Sequence, residues 1–243
     1  MTRPVRRVRP GTALTADGRP RQEVTSYARR GGRLSPRQRE AWDRHAATWL
    51  IDAEAVGDPA AGLLDQARWF GREAPLMVEI GSGTGEALVT LAAARPDHNV
   101  LGLEVWRPGV ARTFRRLERT GIRNVRLLMV DAVWCLESLV GPAGLAELWT
   151  FFPDPWHKKR HHKRRLVAPD FTALVADRLA VGAAWRLATD WADYVEHVDE
   201  VLAGEPRLEG GRTARWSERP VTKFERRAIA EGRPIVDFCY RRR

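Results

Sequence analysis

Residues 76–87 read "LMVEIGSGTGEA": a five-residue apolar run, three glycines spaced two apart, and the opening of a helical pattern. The run up to Ile80 has the length and side chains of a buried strand. Gly81, Gly83 and Gly85 allow a tight turn directly after it and let a ligand approach the backbone where the helix begins. The spacing is G-x-G-x-G, and Glu86 stands where the dinucleotide fingerprint would place its third glycine, which argues against NAD. Strand, glycine turn and helix in this order form the first unit of an open α/β sheet.

Outward from that unit the pattern repeats. "ALVTLAAAR" (87–95), "GVARTFRRLERTG" (109–121), "FTALVADRLA" (171–180) and "DYVEHVDEVLA" (193–203) read as helices. "NVLGLEV" (99–105), "VRLLMVDA" (125–132), "ELWTFF" (147–152) and "AWRLATD" (184–190) read as strands, and "RPIVDFCYRR" (233–242) as a final one. Short apolar strands with intervening helices predict a doubly wound α/β fold whose parallel sheet is covered on both faces. Upstream, "SPRQREAWDRHAATWLID" (35–52) places Ser35 at an N-cap and Pro36 at the first helical position. Trp42, Ala46, Trp49 and Leu50 then share one face of an amphipathic helix that packs on the main body.

Three strands each carry an acid near the same edge. Glu79 lies just before the glycine turn, Glu104 closes the second strand 23 residues after Gly81, and Asp131 closes the third. A carboxylate at the position of Glu104 can accept hydrogen bonds from both hydroxyls of a ribose. Solvated strand-end acids are the ordinary alternative. A pocket with several acids repels phosphates, whereas S-adenosylmethionine offers a ribose, an adenine with amino donors and a sulfonium cation, so this methyl donor fits better than a dinucleotide.

The chain has 243 residues and a formal net charge of +10, from 41 Lys and Arg against 31 Asp and Glu. Its isoelectric point near 10.6 points to a polyanionic partner, nucleic acid before an anionic membrane. No stretch has the apolar length of a membrane span, and the Arg-rich start lacks the apolar core of a signal peptide, so a cytoplasmic protein is expected. Cys135 and Cys239 stand far apart in apolar contexts and read as buried thiols. Residues 1–33 are expected to form a basic, flexible extension, and 34–243 one domain whose first part, 34–70, is expected to be a helical segment packed on it.

The positive charge peaks in "FFPDPWHKKRHHKRR" (151–165), where an apolar strand ends in Pro153-Asp154-Pro155 and a cationic run follows at once. The two prolines restrict both flanks of the acid. A rigid turn is the plain reading, and a good place to fix a catalytic rotamer. A run of like charge is often only a solvated face, but its place after such an acid favours phosphate binding. His157, His161 and His162 among cations do not make a metal site, and Trp156 beside proline reads as packing before base stacking.

The chain resembles the bacterial tRNA (guanine-N7-)-methyltransferase family. The likeness is carried by "VEIGSGTGE", "FPDPWHKKRHHKRR", "LATDWADY" and "RPVTKFERR", with "TSYARRGGRLSPRQREAW" upstream, and spans residues 24–243. It implies a Rossmann-like, doubly wound, mostly parallel sheet of the class I S-adenosylmethionine-dependent methyltransferases. It implies transfer of a methyl group from S-adenosylmethionine to N7 of a guanine in the tRNA variable loop, position 46. The sequence is compatible with a monomer or a homodimer, and no metal is expected. By that likeness Glu79, Gly81, Gly83, Gly85, Glu104, Asp131 and Asp154 match donor-binding positions, and Asp154 also the catalytic one. Lys158, Asp190, Thr222, Lys223, Phe224 and Glu225 match substrate-binding positions, and Arg160, His161, His162, Lys163, Arg164 and Arg165 the RNA-contacting stretch. His157 replaces the family's usual proline, which would loosen the turn after Trp156. From the residues alone, Asp190 reads equally as a helix cap or a cleft acid, and "TKFE" (222–225) reads as a surface loop.

Guanine N7 has an in-plane lone pair, so its methylation needs no proton removed first and positioning dominates. A carboxylate at Asp154 can accept from guanine N1–H and the exocyclic amine, a donor pair that adenine lacks. Two other readings keep the fold: a methyltransferase acting on a small molecule or protein, and a catalytically idle RNA-binding module. The first leaves the basic block unexplained, and the second leaves the acids unexplained.

Overall fold

The computed structural model describes residues 33–56 and 63–243; apart from Arg33, the extension expected over 1–33 lies outside them. The strands are β1 (Leu76–Ile80), β2 (Asn99–Leu103), β3 (Val125–Leu128), β4 (Leu145–Phe151), β5 (Leu179–Thr189), β6 (Leu208–Thr213) and β7 (Val236–Arg242). They form one sheet in the order β3-β2-β1-β4-β5-β7-β6. The first five run parallel, and β7 pairs antiparallel with both β5 and β6. The chain steps outward from β1 through β2 to β3, then returns to place β4 on the other side of β1. Strand order therefore reverses between β1 and β4, and the crevice outside the carboxyl ends of such strands is where open α/β sheets bind ligands.

Two apolar clusters cover the sheet, one on each face. Against one face lie α1 (Pro36–Trp49), α4 (Glu86–Ala93) and α5 (Arg107–Thr120), through Trp49, Leu88, Leu91, Phe114 and Leu117. Against the other lie α6 (Ala132–Leu139), α7 (Pro169–Arg178) and α8 (Ala192–Ala203), through Leu136, Phe171, Val175 and Val198. The short helices α2 (Ala53–Val56) and α3 (Gln66–Phe70) add Val56 and Phe70 to the second cluster. As expected, α1 starts at Pro36 after Ser35, whose backbone N–H donates to Gln38 Oε1 at 2.9 Å. Its Trp42 and Trp49 rings lie 5.6 and 6.2 Å from that of Phe114, while Gln38 donates to the Pro108 carbonyl.

Several elements escaped the sequence pattern. Helix α6 begins at Asp131, whose Oδ1 accepts from the Val133 and Trp134 N–H groups, an N-cap signal at the end of a stretch read only as strand. The edge strand β6, "LEGGRT", lacks apolar alternation, because most of its side chains face solvent. Its Gly210 lies so close to β7 that a Cβ would stand 2.0 Å from the Cys239 carbonyl oxygen. Finally, α9 (Lys223–Ala230) replaces the expected surface loop. Of the two cysteines, Cys135 is buried, and burial pushes its thiol up to about 12; Cys239, expected to be buried, is half-exposed on β7.

Candidate active site

Acids lie near the carboxyl ends of all five parallel strands at one edge: Glu79, Glu104, Asp131, Asp154 and Asp190. At its centre the glycine turn runs from β1 into α4 with Gly81, Gly83 and Gly85 all at positive φ. A Cβ on Gly85 would meet Thr113 of α5 at 2.5 Å. At Gly109 it would meet the Gly83 carbonyl oxygen at 2.3 Å, so the first turn of α5 is pressed onto the glycine turn itself.

Glu104 holds this turn. Its Oε2 accepts from Gly83 N–H at 2.6 Å and its Oε1 from Trp106 N–H at 2.7 Å, so two backbone donors fix the carboxylate at the edge. Glu79 is different: it is 4% exposed, and its Oε2 has no hydrogen-bond partner. Burial, with the Glu104 charge adding to it, pushes its carboxyl up to about 8. Ser82 Oγ, in the turn, is likewise buried and unpartnered.

The Glu79 shift has a pH signature. The carboxyl titrates near 4.5 when unfolded and near 8 when folded, so the native state binds the extra proton and stability falls as pH rises between those values. The melting temperature should decline from pH 5 to pH 8, and Glu79→Gln should flatten that decline. Matching pH profiles for parent and variant would rule the buried acid out as its source.

Asp154 sits in a constrained turn. Phe152 and Trp156, two residues away on either side, both adopt left-handed backbone, with φ of 53 and 51°, a conformation that non-glycine residues hold only when their surroundings enforce it. Phe152 N–H donates to the Ala188 carbonyl of β5 at 2.7 Å. Arg165 Nε donates to the Pro155 carbonyl at 3.0 Å. The Asp154 side chain is exposed, with the buried Tyr194 phenol near enough for the carboxylate's charge to help raise it to about 12, chiefly through burial. His157, expected to loosen the turn, packs against Trp191 with ring centroids 3.9 Å apart and the rings tilted by 53°, and so holds it.

The cationic block folds as a short 3-10 helix, Lys159–Arg164, behind Lys158. It has two sides. Lys158, Lys159, Arg160 and Lys163 are exposed, while His161, His162 and Arg164 are half-buried. Trp156 is a packing surface, with the Arg164 guanidinium over its ring and His161 edge-on to it. Arg165 departs from the expected RNA-contacting role, because its side chain is buried, bonded to the Asp193 carboxylate, and seated over the Tyr194 ring. His162 lies 3.5 Å from the same carboxylate. The guanidinium fastens the Asp154 turn to α8 from behind.

Asp190 is neither a free cleft acid nor the cap of α8. Its Oδ2 accepts from Arg233 at 2.7 Å, and α8 has Trp191 at its N-cap. In the Thr222–Glu225 segment, Thr222 caps α9, Lys223 is exposed, and Phe224 is 41% exposed. Glu225, expected to touch substrate, is instead 1% exposed. Its carboxylate takes Arg215 at 2.7 Å and Arg219 at 2.5 Å, and Arg219 also bonds Asp237 of β7 at 2.7 Å. The Arg219 guanidinium lies 5.5 Å from the Phe151 ring and 5.4 Å from that of Phe152. Beside it Trp216 packs on Trp149 and Phe151. Glu86 joins α4 to this region, accepting from Arg226, Arg116 and the Lys223 N–H. The segment between β6 and β7 thus finishes the face that α4 and α5 begin, and ties it to the Asp154 turn. Arg219 and Arg215 went unnoticed in the sequence because nothing in the spacing links them to acids 6 to 18 residues away.

A family model described as "Putative methyltransferase" matches residues 73–238. A protein of Nocardioides sp. (strain ATCC BAA-499 / JS614) named tRNA (guanine-N(7)-)-methyltransferase is 62% identical over 239 residues, covering 98% of this chain and 95% of its own. One of the same name from Cutibacterium acnes is 47% identical over 234 residues, covering 92% and 85%. Among solved structures, the 16S rRNA methyltransferase KamB superposes with a TM-score of 0.55 at 15% identity, over 74% of this chain and 95% of its own, a likeness of fold.

Proposed function

Because the chain belongs to the tRNA (guanine-N7-)-methyltransferase family, we propose that it transfers a methyl group from S-adenosylmethionine to N7 of guanine in tRNA, at position 46 of the variable loop. The observation that carries this reading is one sheet edge: a buried carboxyl with an unpartnered oxygen beside a glycine turn, next to an exposed acid from which a cationic helix leads away.

The residues present fit the donor. Glu79, buried and lacking a partner for Oε2, suits a cationic group such as the sulfonium or the ammonium of the methionine part. Glu104, oriented by Gly83 and Trp106, suits a ribose diol. The glycine turn admits the donor's backbone-side atoms, and Asp131, fixed as the cap of α6, adds a third acid at that edge. Bound there, the donor supplies an electrophilic methyl group on a cationic sulfur.

The chain's own work is positioning. Asp154 accepts from guanine N1–H and the exocyclic amine, aiming N7 and offsetting the positive charge that develops on the ring. Lys158, Lys159, Arg160 and Lys163 hold phosphates beside it. Phe224 and Lys223, exposed at the start of α9, and Asp190, held by Arg233, border the nucleotide, while Glu225 and Arg165 act from behind by fixing the loops that do. Such a reaction belongs with tRNA in the cytoplasm; no described helix is long and apolar enough to cross a membrane.

The test is methyl transfer from labelled S-adenosylmethionine to an unmodified tRNA transcript, beside one whose variable-loop guanine is adenine. We expect 7-methylguanosine only from the first. Donor binding without methylation of either transcript would overturn the substrate assignment.

A further inference from the structure

We propose that the outward face of α5 is a second phosphate-binding surface for the RNA substrate, separate from the 3-10 helix; the inference rests on the functional reading above. Arg112, Arg115 and Arg119 fall at i, i+3 and i+7, which at 3.6 residues per turn places them within an arc of about 60°. They span about 10 Å along the helix. All three are exposed, and Arg123, just past the Gly121 C-cap, continues the line. The opposite face of α5 is buried through Val110, Phe114 and Leu117.

What distinguishes the stripe is its lack of acids. Among the described residues, Arg115, Arg119 and Arg123 have no carboxylate partner, and Arg112 lies over the Trp106 ring, a contact that leaves its charge uncompensated. Several surface arginines elsewhere are paired, as Arg44 with Glu40, Arg212 with Asp199 and Arg227 with Glu231, although Arg37 and Arg39 of α1 also have no carboxylate partner among the described residues. The only acid of α5, Glu118, is turned aside to Arg44 and His45 of α1. An ordinary solvated face mixes signs. Compensation of the helix dipole would explain Arg119 in the last turn, but not Arg112 in the second.

Placement completes the argument. Helix α5 leaves β2 immediately beyond Glu104, and its first turn presses on the glycine turn. The 3-10 helix leaves β4, and β1 lies between β2 and β4 in the sheet. The two cationic surfaces therefore start from opposite flanks of the acidic crevice. A nucleotide held in that crevice carries phosphates away on both sides, and a folded RNA larger than the crevice can engage one surface with each flank.

The test compares the full chain with its Arg112→Gln/Arg115→Gln/Arg119→Gln variant in binding an unmodified tRNA transcript across a salt series. Affinity near 0.1 M salt should fall on the order of tenfold, and the slope of log K against log salt should flatten by about 2, at 0.7–0.9 per phosphate contact. Donor affinity and melting temperature should stay at parental values, and the corresponding triple Lys variant should keep the steep slope. A Gln variant with parental affinity and slope overturns the inference while leaving the functional reading intact. If the parent itself fails to bind the transcript, the functional reading falls and this inference falls with it.

Discussion

Asp154→Asn should lower methylation turnover about 100- to 1,000-fold, the range associated with losing one preorganised electrostatic contact to a transition state, while donor affinity stays within about twofold. The substitution keeps the shape of the side chain and removes its charge. An amide oxygen can still accept one hydrogen bond, but its NH2 group meets guanine N1–H donor to donor, so the base is no longer held by a pair of acceptors. The turn should survive, because the described contacts that hold it do not involve the Asp154 carboxylate: Phe152 N–H is bonded to Ala188, the Pro155 carbonyl to Arg165, and His157 packs against Trp191. Single-turnover kinetics beside a donor titration separate the possibilities. Parental turnover removes Asp154 from the mechanism, and equal losses in turnover and donor affinity would make it a donor ligand only.

The parts of the fold legible in the sequence are those where burial imposes a period. The five parallel strands are buried over most of their length, so they read as largely apolar runs, each of four broken by a single charged residue, and the glycines mark where β1 ends. Strand β6 was not legible, because an exposed edge demands no apolar alternation and its glycines reflect contact with the β7 backbone. The same limit applies to the site. Glu79, Glu104 and Asp154 could be named because strand ends and a glycine turn have a position in the sequence that predicts their place in space. Whether an acid or base faces the crevice or the protein could not be named: Glu225 and Arg165 lie within motifs that look like contact surfaces, yet their partners, Arg219 and Asp193, make them interior. That distinction depends on where distant segments fold back, and charge patterning along the chain does not encode it.

Arg219→Ala should destabilise the protein by about 3–5 kcal/mol, the usual cost of removing one partner from a buried ion pair. The guanidinium is fully buried between Glu225 and Asp237, themselves 1% and 4% exposed. Without it Asp237 keeps only the Trp216 N–H as a described hydrogen-bond donor, and Glu225 keeps Arg215, which reaches in from the half-exposed rim. At this chain length the loss corresponds to a fall in melting temperature of roughly 6–20 °C. Urea unfolding measures it directly, and Arg219→Met combined with Glu225→Gln and Asp237→Asn should recover most of the stability, since neutral groups leave no charge stranded. Unfolding of Arg219→Ala within about 1 kcal/mol of the parent would mean that water or Arg215 compensates the acids, and the network would lose its structural role. A second consequence follows from the ring contacts. Arg219 backs Phe152, whose left-handed backbone sets the direction of the Asp154 turn, so Arg219→Ala assayed well below its melting temperature should still lose turnover, with donor affinity spared because no described bond joins Arg219 to Glu79, Glu104 or the glycine turn.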